Sequence, residues 1–185
     1  MATSFAITFL RRILAALWLG SIVLVVLLAL ATNIGPRLGL EVFAIRGGSM
    51  SPAIPLGAAV IAAQTSPDAI QVGDVVTIRA DNGVIYTHRV VEVDASEADH
   101  WLRTKGDANT TADAAPVPVA SVVGVVDLSI PLLGYLIVML GTLPGIVSFL
   151  AYAVALLAAI WELEEVEASV ETDRRLARSP DVARA

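Results

Sequence analysis

The fold of the central part of the chain is decided by residues 73–94, which read GDVVTIRADNGVIYTHRVVEVD. Two runs rich in β-branched residues flank Asp81-Asn82-Gly83, and an Asn-Gly pair between such runs indicates a tight hairpin turn. We therefore expect strands over Asp74–Arg79 and Val84–Val93. Because side chains alternate between the two faces of a strand, every second residue of the second strand lies on the same face. The residues on one of these faces are Val84, Tyr86, His88 and Val90.

Outward from this hairpin, residues 39–127 keep the same texture of short β-branched runs separated by Gly, Pro, Asp and Asn. They contain no long helical period and no internal repeat. Further strands are expected at four places: Val42–Arg46, Ala58–Ala63, Trp101–Lys105 and Val122–Val126. A segment of about ninety residues is long enough for a small β-rich domain with one core.

The composition of the whole chain is that of a small membrane protein. Of its 185 residues, 56% are hydrophobic and 16% are charged, which excludes disorder over most of the length. The absence of cysteine excludes disulfides, thiolate catalysis and Cys-ligated metals, and two histidines leave little room for a histidine-built metal site. The twelve basic residues are spread thinly at a net charge of −6, so the sequence predicts no nucleic-acid partner and no cofactor.

A first transmembrane helix is predicted at residues 13–31, ILAALWLGSIVLVVLLALA, which carry no charge. As a helix these residues extend roughly 28 Å, about one hydrocarbon thickness. Arg11 and Arg12 precede the run and the next basic residue is Arg37, so the positive-inside rule keeps the N-terminus cytoplasmic and exports the segment after the helix. A cleaved signal peptide is the alternative, since Ala29-Leu30-Ala31 resembles a cleavage site. The length of the apolar run favours a retained anchor.

A second apolar stretch, Leu128–Trp161, is too long for one span and is interrupted by prolines. Pro144 makes Gly145–Trp161 the predicted transmembrane helix. For residues 130–143 three arrangements stay open: a short span, a segment that dips into the bilayer, or one that lies on its surface. The charged run after Trp161 predicts a solvated helical extension and tail.

These patterns predict four parts along the chain. They are a cytoplasmic N-terminus and anchor at 1–38, an exported β-rich domain at 39–127, a hydrophobic membrane region at 128–161 and a charged cytoplasmic tail at 162–185. The predicted location is the cell membrane, crossed at least twice, with the β-rich domain on the extracytoplasmic side.

The exported part contains a candidate serine nucleophile, Ser49, in the turn-forming stretch Gly47–Pro52. A serine nucleophile needs a base within hydrogen-bond reach, and the domain offers His88, His100 and Lys105, the one lysine of the chain. Because His88 shares a strand face with apolar neighbours, it suits a partly buried base near neutral pH. Taken alone, a stretch such as Gly47–Pro52 is more often an ordinary turn, and a histidine such as His88 is more often a packed structural residue.

A carboxylate that fixes the histidine tautomer would complete such a site. Two candidates, Asp107 and Asp113, lie in the turn-forming stretch Thr104–Asp113. The residues alone do not choose between them.

Taken together, these motifs resemble signal peptidase I, in the Ser/His branch found in the endoplasmic reticulum, archaea and sporulating bacteria. The matching boxes, in chain order, are Ser49-Met50-Ser51-Pro52, Gly73-Asp74-Val75-Val76, Tyr86-Thr87-His88-Arg89-Val90 and Lys105-Gly106-Asp107-Ala108-Asn109 with Asp113. Order and spacing agree over roughly Ala15–Ser129. One departure is Ala112-Asp113, where the family commonly has two adjacent aspartates.

The resemblance implies a membrane-anchored, mainly-β catalytic domain with a signal-peptidase-like fold that cleaves signal peptides from exported preproteins. Ser49 would be the nucleophile and His88 the general base, where the usual bacterial branch has a lysine. Asp113 would orient His88, and Asp107 would be a second, supporting aspartate. The substrate would lie extended along a strand edge with small residues before the scissile bond. The implied partners are preproteins, the lipid bilayer and the protein export machinery.

Two other interpretations of the same residues are a processing peptidase with a narrow clientele and an inactive membrane scaffold. A Ser49–Lys105 dyad is a third, although the position of Lys105 before Gly-Asp indicates a structural role. His100 is expected at a surface or turn, and Arg89 either orients a carboxylate or faces outward. We also expect Met50 to be exposed and to contact the bilayer interface.

Overall fold

The structure is a computed structural model, and it describes residues 2–94 and 100–178. These residues form two compact units, which we call the sheet unit, Leu28–Thr142, and the helix unit, drawn from Met1–Leu27 and Leu143–Ala185. Most of the predicted acidic loop at 94–99 and the last seven residues of the predicted tail lie outside the described residues.

The sheet unit is built on one seven-stranded antiparallel sheet with the order β1-β2-β7-β3-β4-β5-β6. Its strands are β1 (Leu40–Ala44), β2 (Ala59–Ala63), β3 (Val75–Arg79), β4 (Ile85–Asp94), β5 (Trp101–Lys105), β6 (Val117–Pro118) and β7 (Val122–Ile130). Short 3-10 helices are found within the described residues at Gly35–Leu38, Pro67–Ala69 and Val119–Ser121. The prediction of a mainly-β unit is confirmed, with strand ends that differ by one or two residues except at β7. The two-residue strand β6 was not predicted.

The hairpin predicted at Asp81-Asn82-Gly83 joins β3 to β4. Gly83 has a φ of +80°, which a glycine adopts without steric cost, and the Asn82 side chain accepts a hydrogen bond from the Val84 N–H at 3.0 Å. The resulting register places Val76 opposite His88. The turn therefore fixes the position of the candidate base in the sheet.

Apolar side chains form two clusters rather than the single core expected from the sequence. Adjacent residues of β3 belong to different clusters, Val75 to one and Val76 to the other, because neighbouring side chains point to opposite faces of a strand. Met50 belongs to the cluster with Val75 and is 1% exposed. The expectation of an exposed Met50 at the bilayer interface is therefore wrong: the turn after Ser49 directs this side chain into the core.

The segment after Val126 differs most from the prediction. β7 continues to Ile130, and its residue Leu128 pairs with Ile61 of β2. Next comes a short helix, α2 (Leu133–Leu140), in which a Cβ at Gly134 would lie 2.3 Å from the Ala58 carbonyl oxygen. A glycine at this position lets the helix pack directly against the backbone just before β2.

None of the three arrangements considered for residues 130–143 anticipated this packing. With eight residues, α2 extends about 12 Å, less than half of a bilayer core. The predicted boundary at residue 127 falls inside β7. The assignment of the four parts of the chain to cytoplasm, membrane and exterior stays a prediction.

The helix unit consists of most of α1 (Ala2–Ile34) and of α3 (Leu143–Arg178). Within the described residues, two helical stretches are long and apolar enough to cross a membrane, Phe5–Leu38 and Leu143–Leu176. α3 continues as a helix well past Trp161, through the charged run in which a helical extension was predicted.

Ion pairs connect the N-terminal part of α1 to the C-terminal half of α3. Arg11 Nε lies 3.2 Å from a carboxylate oxygen of Glu167, and Arg11 Nη1 lies 3.7 Å from one of Glu164. The Thr8 hydroxyl donates to Glu167 as well. Such a pairing is expected if two helices cross a bilayer in opposite directions and leave both ends on the same side.

Candidate active site

Ser49 lies in a tight turn a few residues after β1 ends at Ala44. The Ser51 N–H donates to the Gly48 carbonyl at 3.1 Å, which closes the turn, and the Ala108 N–H donates to the Ser49 carbonyl at 2.8 Å. Ser49 is therefore held from two sides, by its own turn and by the loop after β5.

The contact between Ser49 and the loop after β5 requires a glycine at position 106. A Cβ there would lie 2.8 Å from the Ser49 carbonyl oxygen and 2.9 Å from the Ser49 Cβ, closer than non-bonded atoms approach. Because Gly106 has no side chain, the loop after β5 can pack directly on the serine. The sequence marked Gly106 only as part of a motif and gave no sign of this contact.

His88, on β4, contacts both a hydroxyl and a carboxylate. Its Nε2 lies 3.2 Å from Ser49 Oγ and its Nδ1 lies 2.6 Å from Asp113 Oδ2, and the side chain is 13% exposed. Since a carboxylate only accepts hydrogen bonds, Nδ1 carries the proton in this contact and Nε2 is left to accept the Ser49 proton. This tautomer is the one that a general base requires.

Asp113 is positioned by the neighbouring strand β5, although it lies in a segment without regular structure. Its N–H donates to the Thr104 carbonyl at 2.8 Å, and the Thr104 hydroxyl donates to its Oδ2 at 2.7 Å. The ring of Tyr86 meets the His88 ring edge-on at 5.2 Å. Burial raises the pKa of Tyr86, and the Asp113 carboxylate adds to the shift, so the phenol stays neutral beside the histidine.

The other candidate carboxylate, Asp107, contacts Arg89 instead of His88. Arg89 donates to both Asp107 oxygens, at 2.8 and 2.7 Å, and its Nη1 donates to the Gly73 carbonyl at 2.7 Å. These hydrogen bonds lower the pKa of Asp107 against the opposing effect of burial, and the positive charges of Arg89 and Lys105 lower it further. Of the two options left open for Arg89, the structure shows the one in which it orients a carboxylate.

The two remaining basic candidates are not among the groups that hydrogen bond to Ser49. Lys105 is the last residue of β5 and pairs across the sheet with Arg89. His100 Nδ1 lies 3.6 Å from Asp68 Oδ1, and its side chain is 35% exposed. Within the part of the chain that the structure describes, no group of His, Asp and Glu side chains could hold a metal ion.

A groove of about 770 Å³ opens beside Ser49 within the sheet unit. β1, on one side of it, is an edge strand of the sheet. β4, on the other, pairs with β3 from Ile85 to Arg89 but with β5 only from Arg89 onward. Two strand edges thus border the groove, and its apolar lining comes from Val42, Phe43, Ile45, Met50, Ile85, Ile137 and Val138. The two last-named residues belong to α2, a contribution that the sequence did not predict.

Thr104 is a further residue near the site that the sequence analysis did not identify. Leu102 and Thr104 alternate on one face of β5 and are both 0% exposed, so a hydroxyl stands where the strand pattern puts a core residue. A buried hydroxyl needs a hydrogen-bond partner. That requirement was the available signal, but only the fold shows that the partner is Asp113.

Comparison with known proteins relates part of the chain to signal peptidase I. No family model matches the chain. Over 81 residues it is 37% identical to a protein named signal peptidase I W from Bacillus subtilis (strain 168). The match covers 43% of this chain and 42% of that protein, so less than half of either length is compared. This similarity supports a relationship to signal peptidases, without distinguishing the branches of the family.

Proposed function

We propose that this protein is a membrane-bound serine endopeptidase of the Ser/His branch of signal peptidases, which removes N-terminal signal peptides from exported preproteins. The observation that carries the proposal is the hydrogen-bonded series from Ser49 through His88 to Asp113, with contacts of 3.2 and 2.6 Å. The partial similarity to signal peptidase I W supports the choice of substrate class.

The proposed reaction begins with attack of Ser49 Oγ on the carbonyl carbon of the scissile peptide bond. His88 Nε2 accepts the hydroxyl proton and passes it to the leaving amine, which breaks the C–N bond and leaves an acyl-enzyme. Water, activated by the same nitrogen, then releases the acyl group. The Asp113 carboxylate stabilises the imidazolium that forms between these steps.

The tetrahedral intermediate needs hydrogen-bond donors for its oxyanion. The backbone N–H of Ser49 is our candidate, since no group among the described residues accepts a hydrogen bond from it. Gly47 and Gly48 leave the approach to this N–H open, because a Cβ at either position would meet no atom within 4 Å.

The groove beside Ser49 would hold the residues that precede the cleavage site. An extended peptide placed there could add main-chain hydrogen bonds to the edge of β1, while its alternate side chains face the apolar lining. We propose that the walls formed by Ile45, Ile85 and Val138 restrict these side chains to small or moderately sized apolar groups.

Membrane attachment is the second part of the proposal. α1 and α3 would cross the cell membrane with both chain ends in the cytoplasm, which the contact of Arg11 with Glu164 and Glu167 supports. The sheet unit would then lie on the extracytoplasmic side, where preproteins emerge. Asp107 would serve this unit as a structural support, through Arg89 and the Gly73 carbonyl.

The test is cleavage of a preprotein by membranes that contain the wild type, Ser49→Ala or His88→Ala, with equal expression verified. Loss of the nucleophile or base should lower the rate by at least about a thousandfold. Ser51→Ala and His100→Ala are matched controls of the same residue types and should cleave like the wild type.

Unchanged cleavage by Ser49→Ala and His88→Ala would overturn the mechanism. If the wild type cut none of a varied set of preproteins, the inactive scaffold would become the better interpretation. Profiling of uncut precursors after depletion separates a broad clientele, in which many exported proteins accumulate uncut, from a narrow one.

A further inference from the structure

We infer that Thr104 is a positioning residue for the proposed reaction: its hydroxyl fixes the carboxylate of Asp113 and thereby holds His88 in place as the base. This inference rests on the proposed roles of Ser49 and His88. It goes beyond them by giving a function to a residue outside the hydrogen-bonded series itself.

Two hydrogen bonds run between Thr104 and Asp113, in opposite directions. The Asp113 N–H donates to the Thr104 carbonyl at 2.8 Å, and the Thr104 hydroxyl donates to Asp113 Oδ2 at 2.7 Å. The first bond fixes the backbone of Asp113 and the second fixes its side chain. Together they set the carboxylate relative to β5.

Asp113 depends on this arrangement because no regular element holds it. It lies in an irregular segment between β5 and β6, and its side chain is 24% exposed. Thr104 is a strand residue with 0% exposure. The hydroxyl thus transmits the rigidity of the sheet to a carboxylate that would otherwise have several rotamers available.

The same oxygen, Asp113 Oδ2, accepts from both Thr104 and His88 Nδ1. Donation from Thr104 therefore fixes the one atom that orients the imidazole ring. A short hydrogen bond to an ionised acceptor is stronger than one between neutral groups. Loss of the hydroxyl would free Oδ2 to move, and His88 Nε2 would lose its alignment with Ser49 Oγ.

The hydroxyl of a buried threonine in this sheet does not need a carboxylate as its hydrogen-bond partner. Thr77 and Thr87, also buried, lie opposite each other on β3 and β4 with their hydroxyl oxygens 3.1 Å apart. Their contact is between neutral groups. Thr104 differs from both because its hydroxyl ends on the carboxylate that contacts His88.

The first experiment compares Thr104→Val, which keeps the shape and removes the hydroxyl, with Thr104→Ser, which keeps the hydroxyl. Cleavage of a preprotein is measured on the full chain in detergent, alongside thermal unfolding. Thr104→Val should lower kcat by about 10- to 100-fold with KM nearly unchanged, and Thr104→Ser should stay within about threefold of the wild type. Thr77→Val is the matched control: it also removes a buried hydroxyl, but should leave kcat unchanged.

The second experiment places Thr104→Val in the Asp113→Ala background. If Thr104 acts through Asp113, the double variant should be no slower than Asp113→Ala alone. Thr104→Ala replaces the valine variant in both experiments if that variant does not accumulate, and has the same expected results.

Wild-type kcat in Thr104→Val, equal impairment of Thr104→Ser, or a further loss in the double variant would each overturn the inference. These results differ from a failure of the proposed function, which would appear as persistent cleavage by Ser49→Ala and His88→Ala. If those two variants are inactive and Thr104→Val is as fast as the wild type, only the role of Thr104 is wrong.

Discussion

The close contact between Gly106 and Ser49 gives the sharpest test of how the candidate nucleophile is positioned. In Gly106→Ala the new methyl carbon would lie 2.9 Å from the Ser49 Cβ and 2.8 Å from its carbonyl oxygen. Carbon atoms in contact are usually about 3.5 Å apart, so Ser49 or the loop after β5 must shift by about 0.6 Å.

Such a shift is large for this site. The distance from Ser49 Oγ to His88 Nε2 is already 3.2 Å, at the long end of the hydrogen-bond range. A displacement of about 1 Å in a reacting group costs about 100-fold in rate, so we expect kcat to fall by about 10- to 100-fold. The forced packing should also lower the free energy of unfolding by about 1–3 kcal/mol.

The assay is the rate of preprotein cleavage by the full chain in detergent, together with thermal unfolding of the same samples. Gly20→Ala, in α1, is the control for a glycine-to-alanine change, because a Cβ at that position would meet no atom within 4 Å. It should cleave within about twofold of the wild type. Equal rates for Gly106→Ala and the wild type, or equal losses in the two variants, would refute the argument that this contact positions Ser49.

Three further predictions concern the surroundings of the site. Because Arg89 lowers the pKa of Asp107 from its ordinary value of 3.8, the pair stabilises the fold above that pH and loses its effect as the pH falls below it. Asp107→Asn should therefore melt lower than the wild type at pH 7 and show a smaller drop in Tm between pH 5 and 3; parallel Tm curves would count against this. Lys105→Arg should keep most of the activity, whereas a total loss in a folded protein would favour Lys105 as the base. Val138→Trp narrows the groove and should lower kcat/KM about tenfold. Met139→Trp, which lies outside the groove lining, should leave kcat/KM unchanged. Progress curves of preprotein cleavage compare the two variants with the wild type.

The parts of the fold that the sequence predicted are those with strong local signals. Alternating β-branched runs around Asp81-Asn82-Gly83 specify the hairpin by themselves, and the long uncharged run in α1 specifies a helix. The candidate site residues also stood out, because the order of the motifs carries information that no single motif has. Their roles, including the choice of Asp113 over Asp107 as the partner of His88, stay proposals that the observed geometry supports.

The parts that were missed depend on contacts between distant residues. α2 lies in a run as apolar as a membrane segment, and only the close fit of Gly134 against Ala58 shows that it packs on the sheet. Met50 has no local feature that distinguishes a core position from an exposed one after a turn. The hydroxyl of Thr104 is nine residues away from the carboxylate that it contacts, so its partner depends on the path of the loop.

The position of β7 in the sheet has a consequence for when the proposed centre can form. β1 and β2 form one end of the sheet and β3 to β6 the other, and β7, which comes after these six strands in the chain, lies between them. Ser49 comes after β1 and His88 lies on β4, so the two ends of the sheet bring one residue each. A nascent chain that stops before Val122 already contains Ser49, His88 and Asp113 but has no strand to join these two halves. The proposed centre is therefore completed only after β7 has joined the two parts of the sheet that carry Ser49 and His88.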